Sequence, residues 1–540
     1  MTTETKDAAA SNGCPVHHGS AKEGFSRRGF LSAIGATGAL APSICMMGAG
    51  HAATTRAPVI REDRFGRLFP ALPPFAAATP QLVQALMEIG KPGGIMDARD
   101  PLERGPVLLI TDPALRVNNP DNTTHTAGTT FFGQFIDHDV TFDLGSQLGV
   151  PTRPEDATNS RSPALDLDSV YGGGPARSPQ LYGRRSAAEP LAGIRFIVEH
   201  GGMFEDLPRT SNGTAIIADP RNDEHIILAG LHAAVLLFHN NAVDFVAARD
   251  RRLRVDEVFA HAQRLTRWHY QWMIVHEFLP LVIGAALVND ILRRGPRFYR
   301  PSVGFMPVEF QGACFRMGHS MVRPSYRANL AGDNGAPFFA FVFDPSQEGA
   351  LDPSDLRGGV RAPRRFVGWQ TFFDFGDGNM RPNKRLDTTL STPLFQLPRS
   401  AIAGEGGPTS LPQRNLLRHV TWSLPSGQSV ARAMGAPVLS AADLQDLRGL
   451  GSNLDRSTPL FFYILREAHL MAEGTRLGPV AGRIVGEVLL GLLRLNRNSY
   501  LASNPSWRPT LLNRFGEQAD DFRMVDFLSF AGVSPVQRGQ

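Results

Sequence analysis

Residues 131–139 read Phe131-Phe132-Gly133-Gln134-Phe135-Ile136-Asp137-His138-Asp139. The surrounding pattern predicts a short helix over 126–142. On a helix Gln134, Asp137 and His138 stand at i, i+3 and i+4, so they share one face. Asp139 is turned about 100° from His138 and faces elsewhere. Phe131, Phe132, Phe135 and Phe142 flank the polar residues, which argues against a surface helix with a polar stripe. An amide, an acid and an imidazole on one buried face cost free energy unless they have partners or a task.

Three further constellations lie downstream. Asp219 is a good N-cap and Pro220 suits a first helical position, so a long helix is expected there. Its apolar residues Ile227, Leu231, Val235, Phe238, Ala242 and Phe245 recur at three- and four-residue steps. Arg221 and Glu224 open it; taken alone, that pair also describes a surface ion pair. Arg316 and His319 are three apart in an apolar stretch, and Gly318 between them lets a flat ligand or another backbone come close. Asn415 and Arg418 form the last pair; a buried Asn can orient a His by accepting its ring N–H.

Further helical patterns cover about 255–278, 309–322, 396–403, 425–434, 440–449, 459–474 and 478–494. Strand patterns are rare. The fold class expected is mainly α: a single large helical domain over 126–540 with long loops and little β, preceded by an irregular wrap over 54–125.

The chain has 540 residues, 42% hydrophobic and 20% charged, with a formal net charge of +4. Whole-chain disorder is excluded, and so small an excess makes no nucleic-acid footprint. Lys occurs only at positions 6, 22, 91 and 384, so the positive charge is nearly all Arg. Ser26-Arg27-Arg28-Gly29-Phe30-Leu31, an apolar run to about Gly50 and the small residues Ala52 and Ala53 have the form of a twin-arginine signal peptide over 1–53. That predicts a periplasmic or secreted protein with no stable membrane insertion. Cleavage would leave Cys314 alone of the three Cys, so no disulfide, within or between chains, is expected. Cys14-Pro15-Val16-His17-His18 could touch haem or metal, but it lies in the segment expected to be removed.

Together and in this order, these motifs resemble one family, the animal-type haem peroxidases of the peroxidase–cyclooxygenase superfamily; with a twin-arginine leader, the chain resembles a bacterial member. Leu231 through Asn240 and Trp272 through Gly284 are similar to other stretches of the same family. The resemblance covers about 126–500 and implies haem b. It implies His138 as the distal base, Arg221 as the distal cation and Gln134 as the residue that holds water or a halide. It also implies His319 as the iron ligand, Asn415 as the partner of its other ring nitrogen, and Arg316 and Arg418 beside the proximal side and a propionate. The stretch after Asn415 departs from the family pattern, reading Arg418-His419-Val420-Thr421-Trp422.

The resemblance also implies a calcium ion held by Asp139, Ser162, Ala164, Asp166 and Asp168. It implies ester bonds from Asp137 and Glu224 to haem methyl groups. One subgroup adds a sulfonium bond from a Met where this chain has His225, so that bond is expected to be missing. The partners implied are hydrogen peroxide and small donors: bromide, iodide, thiocyanate or phenols rather than chloride. Two rivals are a fatty-acid dioxygenase of the same superfamily and a haem-binding protein without turnover. The dioxygenases carry a Tyr three residues before the proximal His, where Arg316 stands here. His232, His239, His261, His269 and His276 are expected to pack or face solvent rather than bind metal.

Overall fold

Thr79 has an extended backbone and its hydroxyl accepts the Leu82 N–H, so helix α1 (Pro80–Ile89) starts there with Pro at its first position. This computed structural model describes residues 61–540 apart from 201, 361–363, 403–405 and 519. The signal-peptide reading and the Cys14–His18 segment lie outside the described residues. The wrap expected to be irregular thus contains a ten-residue helix. Leu82, Leu86 and Ile89 are buried, and the Gln413 side chain donates to the Met87 carbonyl.

Strand β1 (Asp121–Thr126) pairs antiparallel with residues Pro382–Lys384. Helix α2 (Ala127–Val140) follows at once. It has no side-chain cap; the Ala127 and Gly128 N–H groups donate instead to the carbonyls of Arg381 and Phe372. A Cβ on Gly128 would lie 2.4 Å from the Phe373 ring, so glycine is what lets that loop close over the helix start. Phe131, Phe132, Phe135 and Ile136 are buried in the main core.

The long helix starts later than Asp219 suggests. Asp219 caps a 3₁₀ turn, Pro220–Asp223, whereas His225 returns to an extended backbone and caps α3 (Ile226–Arg249) with its own ring. By length and composition α3 could cross a membrane, with a mean hydropathy of 1.6, but 78% of that window is buried inside the domain. It is a core helix, apolar on all sides. Helix α4 (Val255–Met273) runs into a π turn, Ile274–Phe278, and on to Ile283. The helical pattern expected over about 255–278 thus runs past Pro280, which stands in the first turn of the segment after the π turn, where its missing N–H costs little.

The helix expected over 309–322 is three pieces: Val308–Gly312, a 3₁₀ turn at Cys314–Met317, and Gly318–Met321. Ala313 leaves helical geometry at φ −142°, ψ −68°. Strands β2 (Ser325–Asp333) and β3 (Ala336–Phe341) form a hairpin. Its turn residues Asn334 and Gly335 both have positive φ, 52° and 89°, as a tight two-residue turn requires. Helix α5 (Leu411–Thr421) carries Asn415 and Arg418. The patterns at 396–403 and 440–449 prove to be single 3₁₀ turns, Arg399–Ala401 and Gln445–Leu447. The nearly fully buried helices α6 (Leu460–Ala472) and α7 (Pro479–Leu495) close the core. His419, in the departing stretch, accepts the Phe461 N–H and ties α5 to α6.

Candidate active site

One cavity of about 220 Å³ receives side chains from α2, the 220–225 turn, the broken 308–321 segment and α5. Gln134, Asp137, His138, Arg221, Glu224, Arg316, His319 and Arg418 all line it. Asn415 is fully buried behind His319. Asp139 is on the other side of α2, against the 162–169 loop.

His138 is oriented by its neighbours. Its Nδ1 lies 3.0 Å from Asn222 Oδ1, and Asn222 Nδ2 lies 3.0 Å from His232 Nδ1. The amide therefore donates to His232 and accepts the proton on His138 Nδ1. That leaves the Nε2 lone pair of His138 without a partner among the described residues. Burial first, then the Arg221 charge, pushes the ring down to about 3, so His138 is a neutral base across the physiological range. His232 was expected only to pack; it is instead the outer end of this support.

Arg221 is tied back to Asp219 by Nε at 3.0 Å and Nη2 at 2.7 Å, and its guanidinium stacks over Phe142 at 4.0 Å. Asp219 also accepts from Arg161 at 2.8 Å. Burial alone would raise this carboxyl; the Arg221 and Arg161 charges outweigh burial and hold it below the usual carboxylate range. Arg161 is shared with Asp168 at 3.7 Å, so Asp219 is the anion that fixes Arg221 at the cavity wall.

Gln134 accepts from His225 Nε2 at 2.9 Å and donates to Glu224 at 3.2 Å. Glu224 is held in turn: its carbonyl accepts the Gly358 N–H, and a Cβ on Gly358 would lie 1.6 Å from the Asp223 carbonyl oxygen. The Asp137 carboxyl has no hydrogen-bond partner among the described residues, whereas its backbone carbonyl accepts the Thr141 N–H. Burial lifts it to about 6 against the pull of Arg221 and Arg316.

On the opposite wall, Arg316 donates from Nε to the Gln311 carbonyl and from Nη1 to Asn415 Oδ1. Asn415 Nδ2 then faces His319 Nδ1 at 2.8 Å. The expected direction is thus reversed: Asn415 donates to the ring instead of accepting from it, because Arg316 has taken its oxygen. Iron ligation through Nε2 places the proton on Nδ1 and calls for the amide to turn over. Burial, then Arg316, pushes His319 down to about 3, so the ring is neutral at ordinary pH and, with Nδ1 accepting from Asn415, carries its one proton on Nε2. Arg418 is anchored to Asp143 at 2.6 Å.

Outside the cavity, Asp139, Asp166 and Asp168 bring carboxylate oxygens within 4.8 Å of one another. Asp166 Oδ1 and Asp168 Oδ1 are buried without a hydrogen-bond partner. Leu165 and Leu167, both fully buried, have left-handed backbones with φ 51° and 61°, so the loop is held in shape at a cost. Burial and the two neighbouring carboxylates raise Asp139, and burial raises Asp168 to about 7. Such crowding is what a hard cation would relieve. Ser162 Oγ points at Asp166 from 3.5 Å, whereas the Ala164 carbonyl accepts from Asn496.

The model of the animal haem peroxidase family matches residues 143–347. A human probable oxidoreductase, PXDNL, is 30% identical over 161 residues, which is 28% of this chain and 11% of that protein. Pig thyroid peroxidase is 24% identical over 70% of this chain and 43% of its own length. Over residues 143–347 the chain is thus similar to the animal haem peroxidase family. The chain spans less than half the length of either curated relative. Peroxidase A from Dictyostelium discoideum superposes with a TM-score of 0.58 at 17% identity, covering 86% of this chain and 92% of that one. A fatty acid alpha-dioxygenase from Oryza sativa gives 0.52 at 15% identity, covering 76% and 73%. The fold is accordingly the mainly α fold of the haem peroxidases, as expected.

The family implies a haem cofactor, and the residues present fit one. His319 offers an imidazole nitrogen to iron. Gly318 beside it would carry a Cβ with nothing within 4 Å, so that side of the cavity is open to a flat ring. Phe278, Phe315 and Met317 supply apolar walls, and Arg316, Arg414 and Arg418 line the cavity as cations for carboxylates. Sequence reasoning missed Asn222, His232, Asp219 as an ion-pair partner and the His225 contact. Only the Asn222 motif had a signal, its place between Arg221 and Glu224.

Proposed function

We propose that the protein is a haem peroxidase that reduces hydrogen peroxide and oxidises bromide, iodide, thiocyanate or small phenols. The observation that carries this reading is His138: its Nδ1 is tied to Asn222 while its Nε2 is open toward the cavity that His319 also lines. In this reading haem, when bound through His319, supplies the electrons that reduce the peroxide. His138 Nε2 takes the proton from one peroxide oxygen and returns it to the other, which leaves as water. Arg221, fixed by Asp219, faces the charge that develops on the departing oxygen. A haem carrier without turnover has no use for a base held in this way.

The dioxygenase alternative is disfavoured, because Arg316 stands three residues before His319 and no tyrosine is among the described residues lining the cavity. Peroxide-dependent oxidation of iodide or guaiacol, with no peroxide-free oxygen uptake on linoleate, is the expected result. Oxygen uptake on linoleate without peroxide would reverse the assignment. From the twin-arginine pattern we propose export to the periplasm or out of the cell.

Calcium at Asp139, Asp166 and Asp168 is part of this reading. The sign of its pH dependence follows from the raised carboxyls. A folded-state value of about 7 for Asp168, above the ordinary 3.8, means that the metal-free protein loses stability as pH rises from about 4 through 7. Cation binding needs the ionised forms and strengthens over the same window. Thermal unfolding with calcium or with chelator should therefore diverge increasingly from pH 5 to pH 8. Coincident curves at pH 8 would remove the site.

The resemblance implies ester bonds from the two cavity carboxylates, Asp137 and Glu224, to haem methyl groups, and this is part of the proposal. After peroxide treatment, haem should resist acidic acetone in the wild type and leave an Asp137→Asn, Glu224→Gln variant freely. Equal extraction from both would show that no ester forms.

A further inference from the structure

We propose that His225 is a positioning residue that fixes the direction of the Gln134 amide. The distal wall then presents a permanent N–H donor to a ligand that accepts hydrogen bonds, a small anion such as bromide or thiocyanate. The inference deepens the peroxidase reading and rests on the same cavity.

The argument is a chain of donors and acceptors with one consistent direction. The Leu228 backbone N–H donates to His225 Nδ1 at 3.2 Å. A backbone N–H cannot accept, so Nδ1 carries no proton and the neutral ring carries it on Nε2. His225 Nε2 therefore donates to the oxygen of Gln134 at 2.9 Å. With its oxygen held, Gln134 must turn its NH₂ group the other way, where one N–H meets Glu224 Oε2 at 3.2 Å. The second N–H has no acceptor among the described residues, and Gln134 lines the cavity beside His138.

A glutamine free to turn could offer either end to a ligand; this one offers only a donor. The start of helix α3 thus determines the polarity of the distal wall. Burial drives the His225 ring down to about 3, so the relay persists at ordinary pH. Phe131 and Phe343 pack edge-on against the ring at 5.1 and 6.4 Å and hold its plane. The other ionisable groups at this end of the cavity are His138, a neutral ring at ordinary pH, Glu224 and Asp137, which oppose an anion, and Arg221, which favours it. The fixed amide donor is the group that selects among acceptors.

The test is equilibrium binding without peroxide, so it is independent of turnover. Haem-loaded protein is titrated with sodium thiocyanate and with sodium bromide while the absorption spectrum is followed. His225→Phe keeps the ring volume and removes the relay; both anions should then bind about tenfold more weakly or worse, the scale of a lost hydrogen bond to a charged group. In a Gln134→Leu background, His225→Phe should change binding by less than about twofold, because the amide it orients is gone. Ring ¹⁵N resonances of the haem-free chain should show His225 as the Nε2–H tautomer. An equal loss in both backgrounds, wild-type affinity in His225→Phe, or an Nδ1–H ring would each overturn the proposal. Anion binding that follows this pattern in a protein that does not turn over peroxide would retain the relay and refute the peroxidase reading.

Discussion

Replacing His138 by Ala is expected to slow the proposed reaction with hydrogen peroxide by about 10²–10⁴-fold, the range for loss of a positioned general base. Haem content and the resting absorption spectrum are retained, because His138 lies on the wall opposite His319. The wild-type rate also has a distinctive pH profile. The base is the neutral ring, and burial and Arg221 hold that ring neutral down to about 3. An ordinary imidazole would lose its base form as pH falls through about 6.5; here the rate stays level from pH 8 to about pH 4 and declines only below. Stopped-flow measurement of the bimolecular constant across pH checks both statements. An inflection near 6.5 would show that His138 is not held as described, and an unchanged constant in His138→Ala would remove it from the reaction.

His319→Ala is expected to abolish stable haem binding. The variant purifies without a Soret band, and far-UV circular dichroism stays that of a mainly helical protein, since His319 lies on a four-residue helical piece at the cavity edge. Asn415→Ala is milder: loss of the group behind a ligating His costs about 10–100-fold in affinity. The order of the two effects matters. A Soret band of full intensity in His319→Ala, or a larger loss in Asn415→Ala, would move the iron ligand elsewhere. Haem titration of the stripped wild type and both variants measures the comparison.

Much of the distal side is legible in the order of residues. The i, i+3, i+4 spacing of Gln134, Asp137 and His138 is a local property of a helix, and the flanking Phe residues say which face is buried. The acidic positions Asp166 and Asp168 are close in sequence, and the one-residue offset of Asp139 from His138 turns it toward their loop. The β2–β3 hairpin was not anticipated, although Asn334-Gly335 is a dipeptide suited to its two-residue turn. Helix α5 escaped because its start, Ser410-Leu411-Pro412, follows a Gly- and Pro-rich stretch and none of its residues is exposed, so polar and apolar positions do not mark its faces.

The sequence by itself determined which chemical groups are available, their grouping on helix faces and the mainly α class, because these follow from contacts within a few residues. The partners were decided only by tertiary structure. Asn222 reaches His138 across 84 residues, His225 reaches Gln134 across 91, and Asn415 reaches His319 across 96. The direction of each bond depends on what holds the far end: His232 for Asn222, the Leu228 N–H for His225, and Arg316 for Asn415. A hydrogen bond has a donor and an acceptor, and a side-chain amide offers both. Which end of the amide meets the imidazole is therefore fixed by the third residue that packing brings alongside, and no local spacing encodes it.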